Sequence, residues 1–151
     1  MRPRATHLSL LLVGASLLCG GWAPAGKPAS KQQVIRLLWL RTSIHVTGPR
    51  SSWTARLTNE SPQFGKPAGA KVGTELGFSV GSHASGVITL PGGLVEYAGT
   101  IRHRGKSSGL VIAVTGGTGV FAGAKGSYTL SGGDQAHSRN GLLVIRLRPV
   151  D

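Results

Sequence analysis

The sequence predicts an all-β domain closing into an eight-stranded antiparallel barrel, and three observations carry that expectation. Glycine supplies 24 of the 151 residues, a density that would weaken helix interiors by roughly 1 kcal/mol per glycine. Beyond residue 33 the chain breaks into short apolar runs separated by Gly, Pro, Ser and Asn clusters, the spacing of strands and turns. Several of those runs alternate apolar and polar residues with period two. Eight strands in one small domain favour closure, which removes the unpaired edges that would otherwise pair with other chains.

Residues 1–25 read as an export signal. Arg2 and Arg4 precede the apolar run Leu8 to Leu18, and the stretch closes on Ala23-Pro24-Ala25. That run falls short of the ~20 apolar residues a membrane-spanning helix needs, so the expected product is secreted or periplasmic, with cleavage after Ala25 and no membrane span. Cys19 follows Leu18, where a lipoprotein signal wants a small residue. Residues 26–33 form a polar leader, and 34–151 a single domain of ordinary size. The chain carries 17 Lys plus Arg against 5 Asp plus Glu, a net charge of +12; one cysteine excludes a disulfide framework.

The expected strands are Val34 to Thr47, Ser51 to Asn59, Val72 to Val80, Ser85 to Leu90, Leu94 to Arg104, Gly109 to Thr115, Ala124 to Ser131 and Leu142 to Arg148. The first is apolar on both faces between Val34 and Leu40, and would also suit a helical turn over a barrel end. Successive side chains of a strand point to opposite sides of the sheet. Trp53, Ala55 and Leu57 therefore oppose Thr54, Arg56 and Thr58; Val95, Tyr97 and Ile101 oppose Glu96, Thr100, Arg102 and Arg104; and Tyr128 and Leu130 oppose Lys125, Ser127 and Thr129. In the third strand Val72, Leu76, Phe78 and Val80 share one face and Gly73, Glu75, Gly77 and Ser79 the other. Phe78, Tyr97 and Tyr128 are expected to face the barrel axis, with Glu75, Glu96 and Lys125 outward or toward a partner subunit. A hollow ligand-binding barrel would reverse the pattern, because alternation fixes which residues share a face and not which face is inner.

The apolar strand Leu110 to Val114 runs into Thr115-Gly116-Gly117-Thr118-Gly119, with Gly123 and Gly126 beyond, which has the look of a dinucleotide phosphate loop. Such a loop must open a helix, whereas Ala124 to Ser131 alternates with period two. Gly116, Gly117, Gly119, Gly123 and Gly126 are therefore expected to be turn and bulge residues joining two antiparallel strands, without a helix starting between Gly119 and Ala124. No cofactor is expected.

The run Val111 to Gly126 resembles the signature of the allene oxide cyclase barrel, shared more loosely with dirigent proteins. Lys71-Val72-Gly73-Thr74 and Leu90-Pro91-Gly92-Gly93 are similar to segments of bacterial exported members. The resemblance covers about Lys71 to Arg148 and implies an eight-stranded antiparallel, lipocalin-like barrel, often a dimer or trimer in plant members. It also implies an isomerase, cyclase or stereo-directing activity, but the cyclase chemistry depends on a first-strand carboxylate, and Val34 to Thr47 contains no Asp or Glu. No catalytic residue is carried over.

The remaining polar residues have plainer readings. Glu75 and Glu96 share polar strand faces and read as solvated surface. His45, His83, His103 and His137 never fall at a metal-ligand spacing, so no metal is expected. Arg102, His103, Arg104 and Lys106, with Arg146 and Arg148, could meet an anionic envelope polymer. Few aromatics make base stacking, and with it nucleic acid, an unfavoured partner. Asn59-Glu60-Ser61 fits a glycosylation sequon. Tyr97 and Tyr128 carry hydroxyls on apolar faces and need partners there. The favoured function is binding of a small apolar or aromatic molecule inside the barrel, with Phe78, Tyr97, Tyr128 and Trp53 as pocket candidates. Homo-oligomerisation is a further expectation.

Overall fold

The computed structural model describes residues 32–103, 109–132 and 139–148. The export signal, nearly all of the polar leader, Arg104, Lys106 and His137 lie outside the described residues. The strands are β1 (Gln33–Thr47), β2 (Arg50–Asn59), β3 (Lys71–Val80), β4 (His83–Leu90), β5 (Gly93–Thr100), β6 (Arg102–His103), β7 (Gly109–Gly117), β8 (Gly126–Gly132) and β9 (Asn140–Leu147). Every pairing is antiparallel, and β5 joins β7 to close the sheet. β5 and β6 are successive segments of one barrel strand, interrupted at Ile101, so the closed barrel has eight strands.

Each expected strand is present. The first is a strand throughout rather than a helical turn: Ile35, Leu37 and Trp39 are buried, while Val34 and Leu38 stand on the outer surface. The apolarity of its outer face thus comes from Val34, Leu38 and the half-buried Leu40, on the same side as the exposed Arg36.

The Gly-rich segment differs in detail from its expectation. Gly116 and Gly117 are strand residues opposite Glu96 and Val95, and Gly126 begins β8. Gly119 and Gly123 do lie in the connection, but Gly119–Phe121 forms one 3₁₀ turn, where no helical turn was expected. Phe121 from that turn is buried and closes one barrel end. The two flanking strands pair antiparallel, as a hairpin-type connection requires and a dinucleotide loop does not.

One barrel end is filled and the other is hollow. Ile35, Leu37, Leu57, Leu90, Val95, Phe121, Leu143 and Leu147 pack the end that carries the β4–β5 and β7–β8 connections. Toward the β1–β2 and β3–β4 turns, a cavity of about 130 Å³ is left between the strands.

β3 corrects the face assignment. Glu75 and Gly77 face inward and are buried, whereas Leu76, Phe78 and Val80 are 62%, 45% and 42% exposed on the outer surface. Val72 is buried as expected, but as the extra residue at a register shift, since Leu57 pairs with Gly73 and Thr58 with Lys71. Alternation determines which residues share a face and not which face is inner. The inner set here is the small and acidic one, because its neighbours supply the bulk.

Candidate functional site

Two aromatic side chains enter the barrel over glycines. Residues opposite one another in antiparallel ladders share a face, so Ile44, Trp53, Gly77, Gly86 and Tyr97 form one inner row across β1 to β5. A Cβ at Gly77 would come within 2.1 Å of the Trp53 indole, and one at Gly86 within 2.3 Å of the Tyr97 hydroxyl. Glycine is therefore what lets both rings lie flat across the barrel, the close approach that glycine inside a strand marks.

Both rings converge on Glu75, which belongs to the adjacent inner row and is 1% exposed. Trp39 Nε1 donates to Oε2 at 2.6 Å and Trp53 Nε1 to Oε1 at 3.1 Å. The Tyr97 hydroxyl donates to Oε1 at 2.5 Å, and the Tyr128 hydroxyl lies 3.2 and 3.3 Å from the two oxygens. The tyrosine rings sit against each other, centroids 4.5 Å apart. Four neutral donors on two oxygens match the accepting capacity of the group in its ionised form.

Burial and hydrogen bonding pull the Glu75 proton in opposite directions. Removal from water disfavours the charged form, while the four donors favour it, Tyr97 most. Burial prevails, and Glu75 stands above the ordinary carboxylate value. The same burial, with the carboxyl alongside, pushes both tyrosine hydroxyls up. An indole N–H can only donate, so when Glu75 holds its proton a tyrosine oxygen must accept it.

The cavity lies on the other side of this cluster. Trp39, Trp53 and Tyr128 line it together with Arg41, Ile44, Ser51, Ser79, Ile112 and Leu130. Glu75 is screened from it by those rings.

The pocket candidates are distributed unequally. Tyr97, Tyr128 and Trp53 stand inside, all three bonded to Glu75. Phe78 does not face the barrel axis: it lies outside opposite Ser52 and Ser85, because it shares a face with Leu76 rather than with Glu75. Glu96 and Lys125 point outward as expected. Glu75 was expected there too and is instead the centre of the interior. Trp39 was not singled out by the sequence reading at all. The signal that could have found the cluster is Gly73-x-Glu75-x-Gly77, because glycines at alternate positions make a poor solvated strand face but a good inner one.

Other expectations resolve more simply. Asn59 is fully buried, and its amide donates to the carbonyls of Gln63, Lys66 and Pro67, so it secures the β2–β3 loop and offers no exposed acceptor to a glycan. His45 and His83 are exposed, and their rings lie within hydrogen-bond distance of the Thr47 and Thr100 hydroxyls. Among the described residues no three His, Cys, Asp or Glu cluster as a metal site. Arg102 on β6 stands three strands from Arg146 on β9.

The barrel has solved counterparts. A pyocyanin demethylase superposes with a TM-score of 0.58 at 18% identity, over 76% of this chain and 99% of that one. A nonspecific heme-binding cyclase, which catalyses a (4 + 2) cycloaddition in neoabyssomicin biosynthesis, superposes with a TM-score of 0.51 at 19% identity, over 79% of this chain and 68% of that one. At such identities the likeness is one of fold. No protein family and no curated protein matches the sequence.

Proposed function

We propose that this chain is a small-molecule-binding barrel that takes one ring-sized apolar or aromatic ligand into its hollow end. The observation that carries the reading is the cavity of about 130 Å³ floored by Trp39, Trp53 and Tyr128. A dry cavity of roughly 150 Å³ holds a benzene-sized molecule, and drug-sized ligands need some 300 Å³ or more. Barrels of this fold that bind heme or act on pyocyanin support a ligand in the interior. The closer kinship with the allene oxide cyclase and dirigent barrels, drawn from Val111 to Gly126, belongs to the same proposal. So does export by residues 1–25, for which mass spectrometry of an exported form beginning at Gly26 is the check.

The test is titration of the full chain with toluene-sized aromatic probes while following tryptophan emission. Saturable quenching is the expected result. A linear response, unchanged by Tyr128→Trp filling the cavity, would overturn the reading.

A second reading, an isomerase or cyclase, is favoured by one specific observation: a buried carboxyl stands directly behind a cavity-lining phenol. As Tyr128 transfers its hydroxyl proton to a ligand oxygen, Glu75 transfers its own to the Tyr128 oxygen, leaving Glu75 ionised until the product returns the proton. Turnover lost in Tyr128→Phe with probe binding retained separates this reading from simple binding.

A further inference from the structure

The hollow end of the barrel carries an apolar corner. On the outer face of β3, Leu76, Phe78 and Val80 stand at alternate positions and are exposed. At the adjoining rim Ile44 and Val46, on the inner rows with Trp53 and Ser51, are 46% and 61% exposed. Ile44 also lines the cavity, whose mouth therefore opens beside these side chains. Single exposed apolar residues are ordinary on any surface, but a group of five large ones at one corner marks contact with another body.

Charge is arranged around the same corner. Arg50 follows the β1–β2 turn and pairs with Val80. A shallow groove beside it is lined by His45, Thr47, Ser52 and Phe78 among others, so a cation and hydroxyls face an aromatic ring. Arg102 on β6 and Arg139 before β9 are exposed at the same end of the barrel. The acids among the described residues stand elsewhere. Glu75 is buried, and Glu60 lies in the β2–β3 loop at the opposite end, paired with Arg36. Glu96 closes the outer row Thr54–Leu76–Val87, two strands from Leu76 and away from the rim.

We propose that this corner docks on an anionic lipid bilayer, with Val46, Leu76, Phe78 and Val80 against the acyl chains and Arg50 on a headgroup phosphate. Apolar side chains sunk into the headgroup boundary, with cations around them, hold a protein on such a surface, and each cation near it adds attraction. A second copy fits less well, because it would bring together two cationic corners of a chain whose net charge is +12. The docking goes beyond the binding function proposed above and does not depend on it.

The experiment is co-sedimentation with vesicles of phosphatidylcholine, alone or mixed equally with phosphatidylglycerol. It uses the full chain and the form beginning at Gly26, which keeps every strand and removes Leu8 to Leu18 as a separate lipid contact. Both forms should bind the anionic vesicles more tightly than the neutral ones by about tenfold or more, and less so as salt is added. Phe78→Ser and Arg50→Gln should each weaken binding by about fivefold. Lys66→Gln, in the loop at the other end, should change it by less than about twofold. Failure of the Gly26 form to bind anionic vesicles overturns the proposal and needs no variant to fold. Equal weakening by Arg50→Gln and Lys66→Gln also overturns it, since attraction would then be diffuse, as does unchanged binding by Phe78→Ser. A wild type that ignores vesicles but forms a dimer in sedimentation equilibrium, dissociated by Phe78→Ser, would assign the corner to a second copy instead.

Discussion

The Tyr97 phenol lies across Gly86, with room for hydrogen alone beneath its oxygen: a Cβ there would approach to 2.3 Å. This one contact links a small residue on β4 to the position of a proton on β3, because the hydroxyl that Gly86 admits is the one that reaches Glu75. Gly77 does the same for Trp53.

Gly86→Ala should therefore displace Tyr97 and cost about 1–3 kcal/mol from overpacking, with a further loss from the hydrogen bond to Glu75. Gly77→Ala should behave alike through Trp53. Urea unfolding gives both values, and a loss under about 0.5 kcal/mol, typical of surface sites, would show that the rings are free to move.

Glu75→Gln should destabilise the barrel by about 1–3 kcal/mol. Its two indole donors approach different oxygens, so whichever way the amide turns, its NH₂ faces an N–H. Wild-type stability in the variant would show that the indoles do not depend on this acceptor.

The pH dependence has a definite sign. Glu75 is raised above the ordinary value of 4.5 in the folded chain, so between 4.5 and the raised value the folded state holds a proton that the unfolded state releases. Its contribution is complete below 4.5 and is lost as pH rises through the folded value. The stability difference between wild type and Glu75→Gln should thus fall with rising pH above 4.5. A rise would mean that the four donors outweigh burial and hold an ionised carboxylate.

The chain has two tyrosines, and both are raised above the usual value of 10 by burial and by Glu75. Ultraviolet titration should show no tyrosinate near pH 10 in the folded protein. Ionisation should appear in one step with unfolding, since the folded state loses stability as pH rises beyond 10.

Phe78 tests the orientation of β3 directly. On the outer surface, Phe78→Ser should change stability by less than about 0.5 kcal/mol, whereas Ile88→Ala, in the core, should cost about 2–5 kcal/mol. A core-sized loss at Phe78 would reverse the face.

Strand existence was legible from the sequence because turns and short apolar runs are local signals. The inward direction of Tyr97 and Tyr128 was legible too, as was the outward direction of Glu96, because each shares its strand face with neighbours of like polarity. β3 was not, since hydrophobicity chose Leu76, Phe78 and Val80 for the core and left Glu75 to solvent. Only the assembled barrel decided that strand: Trp53 lies against Gly77, where a Cβ would come within 2.1 Å of its indole, so that inner position takes glycine alone, and Trp39, Trp53, Tyr97 and Tyr128 offer four donors to the carboxyl of Glu75. Periodicity along a chain sorts side chains into two sets, and the volume and hydrogen-bonding groups supplied by the other strands determine which set is enclosed.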